Sequence, residues 1–107
     1  MSGALKRDVD AVIAADDPEE LLGAIIDIAM ASDDAAWATE RLLALAAHVH
    51  TDVRGNALMA LTHVVDRFER VDRPRIVSAL RAGLEDRERH VREQASAALD
   101  ELGLGDD

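Results

Sequence analysis

The chain has 107 residues and sets 12 Lys and Arg against 22 Asp and Glu, a formal net charge of −10. That length supports one domain with a real core, without metals or disulfides. The charge disfavours a nucleic-acid or anionic-membrane platform, because both draw affinity from basic side chains. The absence of cysteine excludes a thiolate metal site and a redox switch, and a reducing, cytoplasmic setting is expected.

The start, MSGALKRDVDAVIAADD, turns acidic too soon for a signal peptide. No stretch approaches the roughly 20 apolar residues of a membrane span. With one Trp, one Phe and no Tyr, and little period-two alternation, sheets are not expected.

Six helices are predicted. The first covers about Ala4 to Ala15, on a stripe of Leu5, Val9, Val12 and Ile13. Asp17 then caps a second helix, with Pro18 in its first turn and Glu19 and Glu20 at the positive end of its dipole, running to about Met30. Ser32-Asp33-Asp34 caps a third, to about His48. Thr51 or Asp52 caps a fourth, to about Glu69. Asp72-Arg73-Pro74 starts a fifth, whose stripe is Ile76, Val77, Leu80 and Leu84. The sixth runs from about Glu88 to Leu102, stopped by Gly103. Short connections make consecutive helices antiparallel neighbours, in hairpins over about 4–30, 34–69 and 73–102. The single domain spans 1–104, with a frayed tail at 105–107.

Val53-Arg54-x-x-Ala57-x-x-x-Leu61 returns as Val91-Arg92-x-x-Ala95-x-x-x-Leu99, 38 residues on. Pro18, Val53 and Val91 mark the even-numbered helices at spacings of 35 and 38. No single hairpin buries its own apolar face, but three stacked hairpins do. These residues resemble the HEAT-repeat family of α-solenoids, over about Trp37 to Leu102. The resemblance implies an all-α fold, a right-handed solenoid of three stacked hairpins. It implies core roles for Val53, Ala57, Leu61, Val91, Ala95 and Leu99. Arg54 and Arg92 resemble the arginines that tie neighbouring repeats, with carboxylates such as Asp52 as partners. The first hairpin departs from the pattern, since Pro18 and Glu19 stand in place of Val-Arg, and it reads as a divergent cap. The stretch from Trp37 to Arg54 also resembles small free-standing bacterial HEAT-like proteins, some of which look like immunity proteins of toxin systems.

HEAT solenoids present their second helices on a concave face. At 100° per residue, the side opposite the core stripe holds Gly55, Met59, Thr62, Asp66 and Glu69 in helix four. It holds Glu93, Ala97 and Asp100 in helix six, and Glu20, Ala24 and Asp27 in helix two. Every charged residue on that lane is acidic. Such a lane attracts a basic protein and repels nucleic acid. Gly55, Ala24 and Ala97 let a partner approach, and Met59 supplies an adaptable anchor. The counter-reading is solubility alone, with Glu20 and Glu93 placed by their helix dipoles.

Trp37 has two readings: a wedge between the first two hairpins, or an exposed interface anchor. Its spacing to Arg41 allows a cation–π contact. His48 and His50 read as a helix-ending pair rather than metal ligands, because two residues apart they point in different directions. His63 and His90 are isolated. The acid pairs Asp16-Asp17, Asp33-Asp34 and Glu85-Asp86 read as caps and turns. No phosphate loop, HExxH or Gly-x-Ser-x-Gly motif is present, so neither catalysis nor a cofactor is expected.

The expected function is non-enzymatic: gripping a basic protein with an acidic concave face, in the sharper form as an inhibitor or immunity protein. One alternative is a scaffold or homodimer pairing through Leu58, Met59 or Val65. Another is a nucleic-acid-acting HEAT-like protein using Arg67, Arg70, Arg73 and Arg75, which the charge disfavours.

Overall fold

In the computed structural model, described for residues 2–105, six helices follow one another without a strand among the described residues. They are α1 (Ser2–Ala15), α2 (Pro18–Ala31), α3 (Ala35–Leu45), α4 (Thr51–Arg67), α5 (Arg73–Gly83) and α6 (Arg89–Glu101).

Most boundaries follow from local chemistry. The Asp17 carboxylate accepts the Glu19 N–H ahead of Pro18, Asp34 accepts from Trp37 N–H, and Asp72 accepts from Arg75 N–H. Each satisfies an amide that the first turn leaves unpaired. At the other end of α6, Gly103 sits at φ 75°. Leu104 N–H reaches back to Leu99 O at 2.8 Å, and Gly103 N–H to Asp100 O at 3.0 Å. This is a Schellman stop, and Leu104 packs its side chain on the core. Gly105 lies against the Asp100 side chain. Of the expected frayed tail at 105–107, residues 106 and 107 lie outside the described residues.

Two expected boundaries move. The cap of α4 is neither Thr51 nor Asp52 but His50, whose Nδ1 accepts the Asp52 N–H at 3.2 Å. Helix α3 ends at Leu45, three residues before His48. His48 is then free to accept His50 N–H on Nδ1, at 3.0 Å. That leaves the ring proton on Nε2, which donates to Asp16 Oδ1 at 2.6 Å.

Helix α4 is the hub. It lies between α2 and α6 and packs on α3 and α5. Its Val53, Ala57, Leu61 and Val64 are fully buried, with Ala60 and Leu58 nearly so. They meet Leu21 and Ile28 of α2, Leu42 of α3, Ile76 and Leu80 of α5, and Val91, Ala95 and Ala98 of α6, in one continuous core. Each buried Leu or Ile contributes roughly 1.5–3 kcal/mol relative to exposure. Among the described residues, α2, α4 and α6 approach closely, whereas no Cα of α1 comes within 8 Å of one in α3. Long ion pairs bridge that wider side: Lys6 to Asp34 at 2.6 Å, and Arg41 to Asp10 at 2.8 Å. Arg75 likewise pairs with Glu40 across α5 and α3. The Cα radius of gyration, 12.9 Å, is that of a well-packed domain of this length. Among the described residues, no helix is long and apolar enough to cross a membrane.

Candidate protein-binding face

The arginine of the repeated motif is the best-partnered side chain in the molecule. Arg54 is 7% exposed. Its Nε and Nη2 each donate at 2.9 Å to the two Asp86 oxygens, and its Nη1 donates to the carbonyls of His48 and Val49. The partner is Asp86, in the α5–α6 turn, rather than Asp52. The reason is direction: Asp52 lies on the open side of α4, while Arg54 points into the seam with the next helix pair. The Arg54 guanidinium holds the Asp86 carboxyl below the usual carboxylate range, against the opposing effect of burial. Arg92 donates to Asp86 O at 2.8 Å, a bond within its own helix pair that matches Arg54 to His48 O, and ties no neighbouring pair among the described residues. The other motif positions, Val53, Ala57, Leu61, Val91, Ala95 and Leu99, are all core.

The helices place the expected lane differently. Leu21, Ala24, Ile25 and Ile28 are buried where Ala57, Ala60, Leu61 and Val64 are buried, 36 residues on rather than 35. That one-residue difference turns α2 by 100° relative to the expected alignment and puts Ala24 in the core, at 4% exposure. Gly55 is corrected too. A Cβ there would meet His90 Nε2 at 3.0 Å and Gln94 Cγ at 3.2 Å. It admits α6, not an outside partner. Thr62, 2% exposed, donates its hydroxyl to Met59 O and is likewise closed off. Leu58, expected as a surface for self-association, is 2% exposed.

The remaining lane residues divide into groups. Glu20 and Asp27 of α2, Met59 and Asp66 of α4, and Ala97 of α6 stay on the open side of the α2–α4–α6 layer. Glu93 and Asp100 occupy positions that match Gly55 and Thr62, 38 residues on. No further helix follows α6 among the described residues, so they form its outer edge, where Glu93 pairs with Arg89 at 3.0 Å. Glu69 is exposed in the α4–α5 connection. Trp37 belongs to the opposite, first-helix side. It is half-buried, with Lys6 Nζ 5.7 Å and Arg41 Cζ 5.6 Å from its ring centre, bridging α1 and α3.

Read by helical angle and exposure, the open face comprises Glu20, Gly23, Ile26, Asp27 and Met30 of α2. From α4 come Asp52, Asn56, Met59, His63 and Asp66, and from α6 His90, Gln94, Ala97 and Glu101. Its acids are Glu20, Asp27, Asp52, Asp66 and Glu101, and none of its positions is Lys or Arg. Arg67, at its border, is turned to the Ala29 carbonyl at 2.8 Å and lies over the Phe68 ring. Two of the three strongly exposed large apolar side chains of the described residues, Ile26 (63%) and Met30 (56%), sit here. The third, Val49, is in the α3–α4 turn. Neither Ile26 nor Met30 figured in the expected lane. The signal was present, because PEELLGAIIDIAMA is apolar almost all round, more than one buried stripe requires. Among the described residues no group of three or more His, Asp or Glu converges at metal-binding spacing.

No family model matches the chain, and neither a curated protein nor a solved structure matches it.

Proposed function

We propose that this chain is a non-enzymatic binding module, a short HEAT-like solenoid of three stacked helix pairs that grips a basic protein with its second-helix face. The solenoid reading draws support from the return of the buried pattern after 36 and then 38 residues. It also draws on the close packing of α4 with both α2 and α6 against the wider α1–α3 side. The binding reading rests on one observation. The open face carries five carboxylates and no Lys or Arg, around exposed Ile26 and Met30. Such a surface raises the encounter rate with cations and supplies apolar area to hold them. Inhibition of a basic enzyme, in the manner of an immunity protein, is the sharper form of this reading. The acids also oppose self-pairing across this face, since like charges would meet.

The test is a panel of small basic proteins, titrated against the chain at low and at physiological salt. A specific partner should bind with a rate that falls steeply with salt. The Asp27→Ser, Asp66→Ser, Glu101→Ser triple variant should weaken it by about tenfold or more. Undiminished binding by the triple variant would remove the face as the site.

A further inference from the structure

Gly23 and Gly55 lie inside helices and Gly83 ends one, and two of the three have an internal explanation. Gly55 lies beneath His90 and Gln94. A Cβ on Gly83 would stand 2.8 Å from Ala95 Cβ and from Leu58 Cδ1. Gly23, in the middle of α2, has nothing within 4 Å of where its Cβ would be. A glycine inside a helix costs roughly 0.5–1 kcal/mol against alanine. At Gly55 and Gly83 that cost is offset by close packing, but at Gly23 nothing in the chain offsets it. Gly23 opens onto the candidate face. Ile26 and Met30 lie within two turns of it, and Met59 stands at the matching position of α4, 36 residues on.

Building on the proposed binding function, we infer that the occupant of this face is one amphipathic, basic helix of the partner protein. It would lie over Gly23, against Ile26 and Met30 of α2 and Met59 of α4. The floor and rim choose this occupant. The floor consists of helices whose amides and carbonyls are already paired within themselves, so it offers no edge to an extended segment. A partner strand would leave its own backbone groups unsatisfied. A helix satisfies its own backbone and brings apolar side chains at i, i+3, i+4 and i+7 to one stripe. The missing Cβ at Gly23 lets such a stripe approach the α2 backbone, and the methionine can reshape around it. Glu20, Asp27, Asp52 and Asp66 surround the apolar group, so the partner's flanking residues are Lys or Arg.

The probes are two peptides of one composition, each of about 14 residues of Leu and Lys. One is patterned with Leu on a single helical face; the other has the same residues scrambled. The variants are Gly23→Gln and the pair Ile26→Ser, Met30→Ser. Because Cβ space at Gly23 is open and Gln favours helix, Gly23→Gln should fold as well as the parent and melt no lower. The patterned peptide should bind about tenfold tighter than the scrambled one, gain helical circular dichroism on binding, and lose that advantage in both variants. Equal binding of the two peptides, or a patterned advantage that survives Gly23→Gln, would overturn the helix while leaving a charge-driven binding face. Binding of neither peptide would overturn the helix and the basic-partner reading together.

Discussion

Between the second and third helix pairs, a buried arginine holds the seam. Between the first and second, exposed ion pairs and a half-buried tryptophan do. The later seam has Arg54 bidentate on Asp86 and bonded to two carbonyls, with α6 pressed onto Gly55 and Leu58 onto Gly83. The earlier seam lacks an equivalent arginine, because Asp17 and Pro18 stand 36 residues before Val53 and Arg54. It relies on His48–Asp16, Lys6–Asp34 and Arg41–Asp10, whose carboxylate side chains are 63%, 38% and 48% exposed. Asp16 takes its place at φ 56°, an unfavourable conformation for a residue other than glycine. The same stacking problem is solved once by buried directional bonds and once by surface charge around an aromatic ring. The first pair should therefore be the more salt-sensitive and the first to open.

The largest effect should come from the buried arginine. Arg54→Ala leaves Asp86 and the His48 and Val49 carbonyls without their donor, and should cost about 3 kcal/mol in denaturant unfolding. Arg54→Lys should recover little, since an ammonium cannot reproduce the fork. The pair also sets a pH signature. The folded-state pKa of Asp86 is depressed by its bond to Arg54, so the folded chain binds fewer protons than the unfolded one in acid. Its stabilisation is complete above the ordinary carboxylate pKa of about 4 and is lost as pH falls through the depressed value. Asp10, Asp34 and Glu40 are lowered by Arg41, Lys6 and Arg75 respectively and contribute in the same direction. Arg54→Ala should therefore flatten the loss of stability below about pH 4. An unchanged slope would mean that the seam is not held by this pair.

Next in size is Gly83→Ala. Its Cβ would stand 2.8 Å from Ala95 Cβ and Leu58 Cδ1, forcing α5 away from α4 and α6. The cost should be about 2 kcal/mol, measured by thermal unfolding, against the usual gain from replacing a helical glycine. Gly23→Ala, with open space above it, should have the opposite sign and raise stability by about 0.5–1 kcal/mol. At the earlier seam, Trp37→Ala should cost about 1–2 kcal/mol, because the ring is half-buried and loses both Lys6 and Arg41. Its hydrogen-exchange signature separates the seams: α1 and α2 should lose protection while α4 to α6 keep theirs.

Much of the fold was legible because its signals are local. Asp17-Pro18, Asp34, Asp72 and Gly103 each act on the backbone beside them, and each stands where sequence placed it. The positions misjudged depend on which helix lies next door. Gly55 and Thr62 look outward on an isolated helix and are covered only because α6 packs there. Arg54 found Asp86, far along the chain, instead of the nearby Asp52. His50 was passed over as a cap because an imidazole accepts an amide proton only in the right tautomer, and that depends on its surroundings. The candidate face suffered most. Its alignment across α2 rested on Pro18, and a one-residue difference moves a side chain 100° around a helix. Sequence supplied the acidity of the face and the surplus of apolar residues in α2, while which of them face outward, Ile26 and Met30 beside Gly23, was decided only by the position of its buried stripe.

The smallest predicted effect is the one that separates the seams most cleanly. Arg41 and Asp10 meet at 2.8 Å, with side chains 36% and 48% exposed. A double-mutant cycle on Arg41→Gln and Asp10→Asn should give a coupling below about 1 kcal/mol. Near 1 M salt, where the screening length is about 3 Å, that coupling should largely vanish. The matching cycle on Arg54→Gln and Asp86→Asn should give a larger coupling that persists in salt, because the Arg54 side chain is only 9% exposed and little screening ion reaches it. Equal salt sensitivity in the two cycles would erase the contrast between the seams. The first helix pair would then have to be held to the second chiefly by the apolar packing of α2 on α4, with its ion pairs contributing position rather than strength.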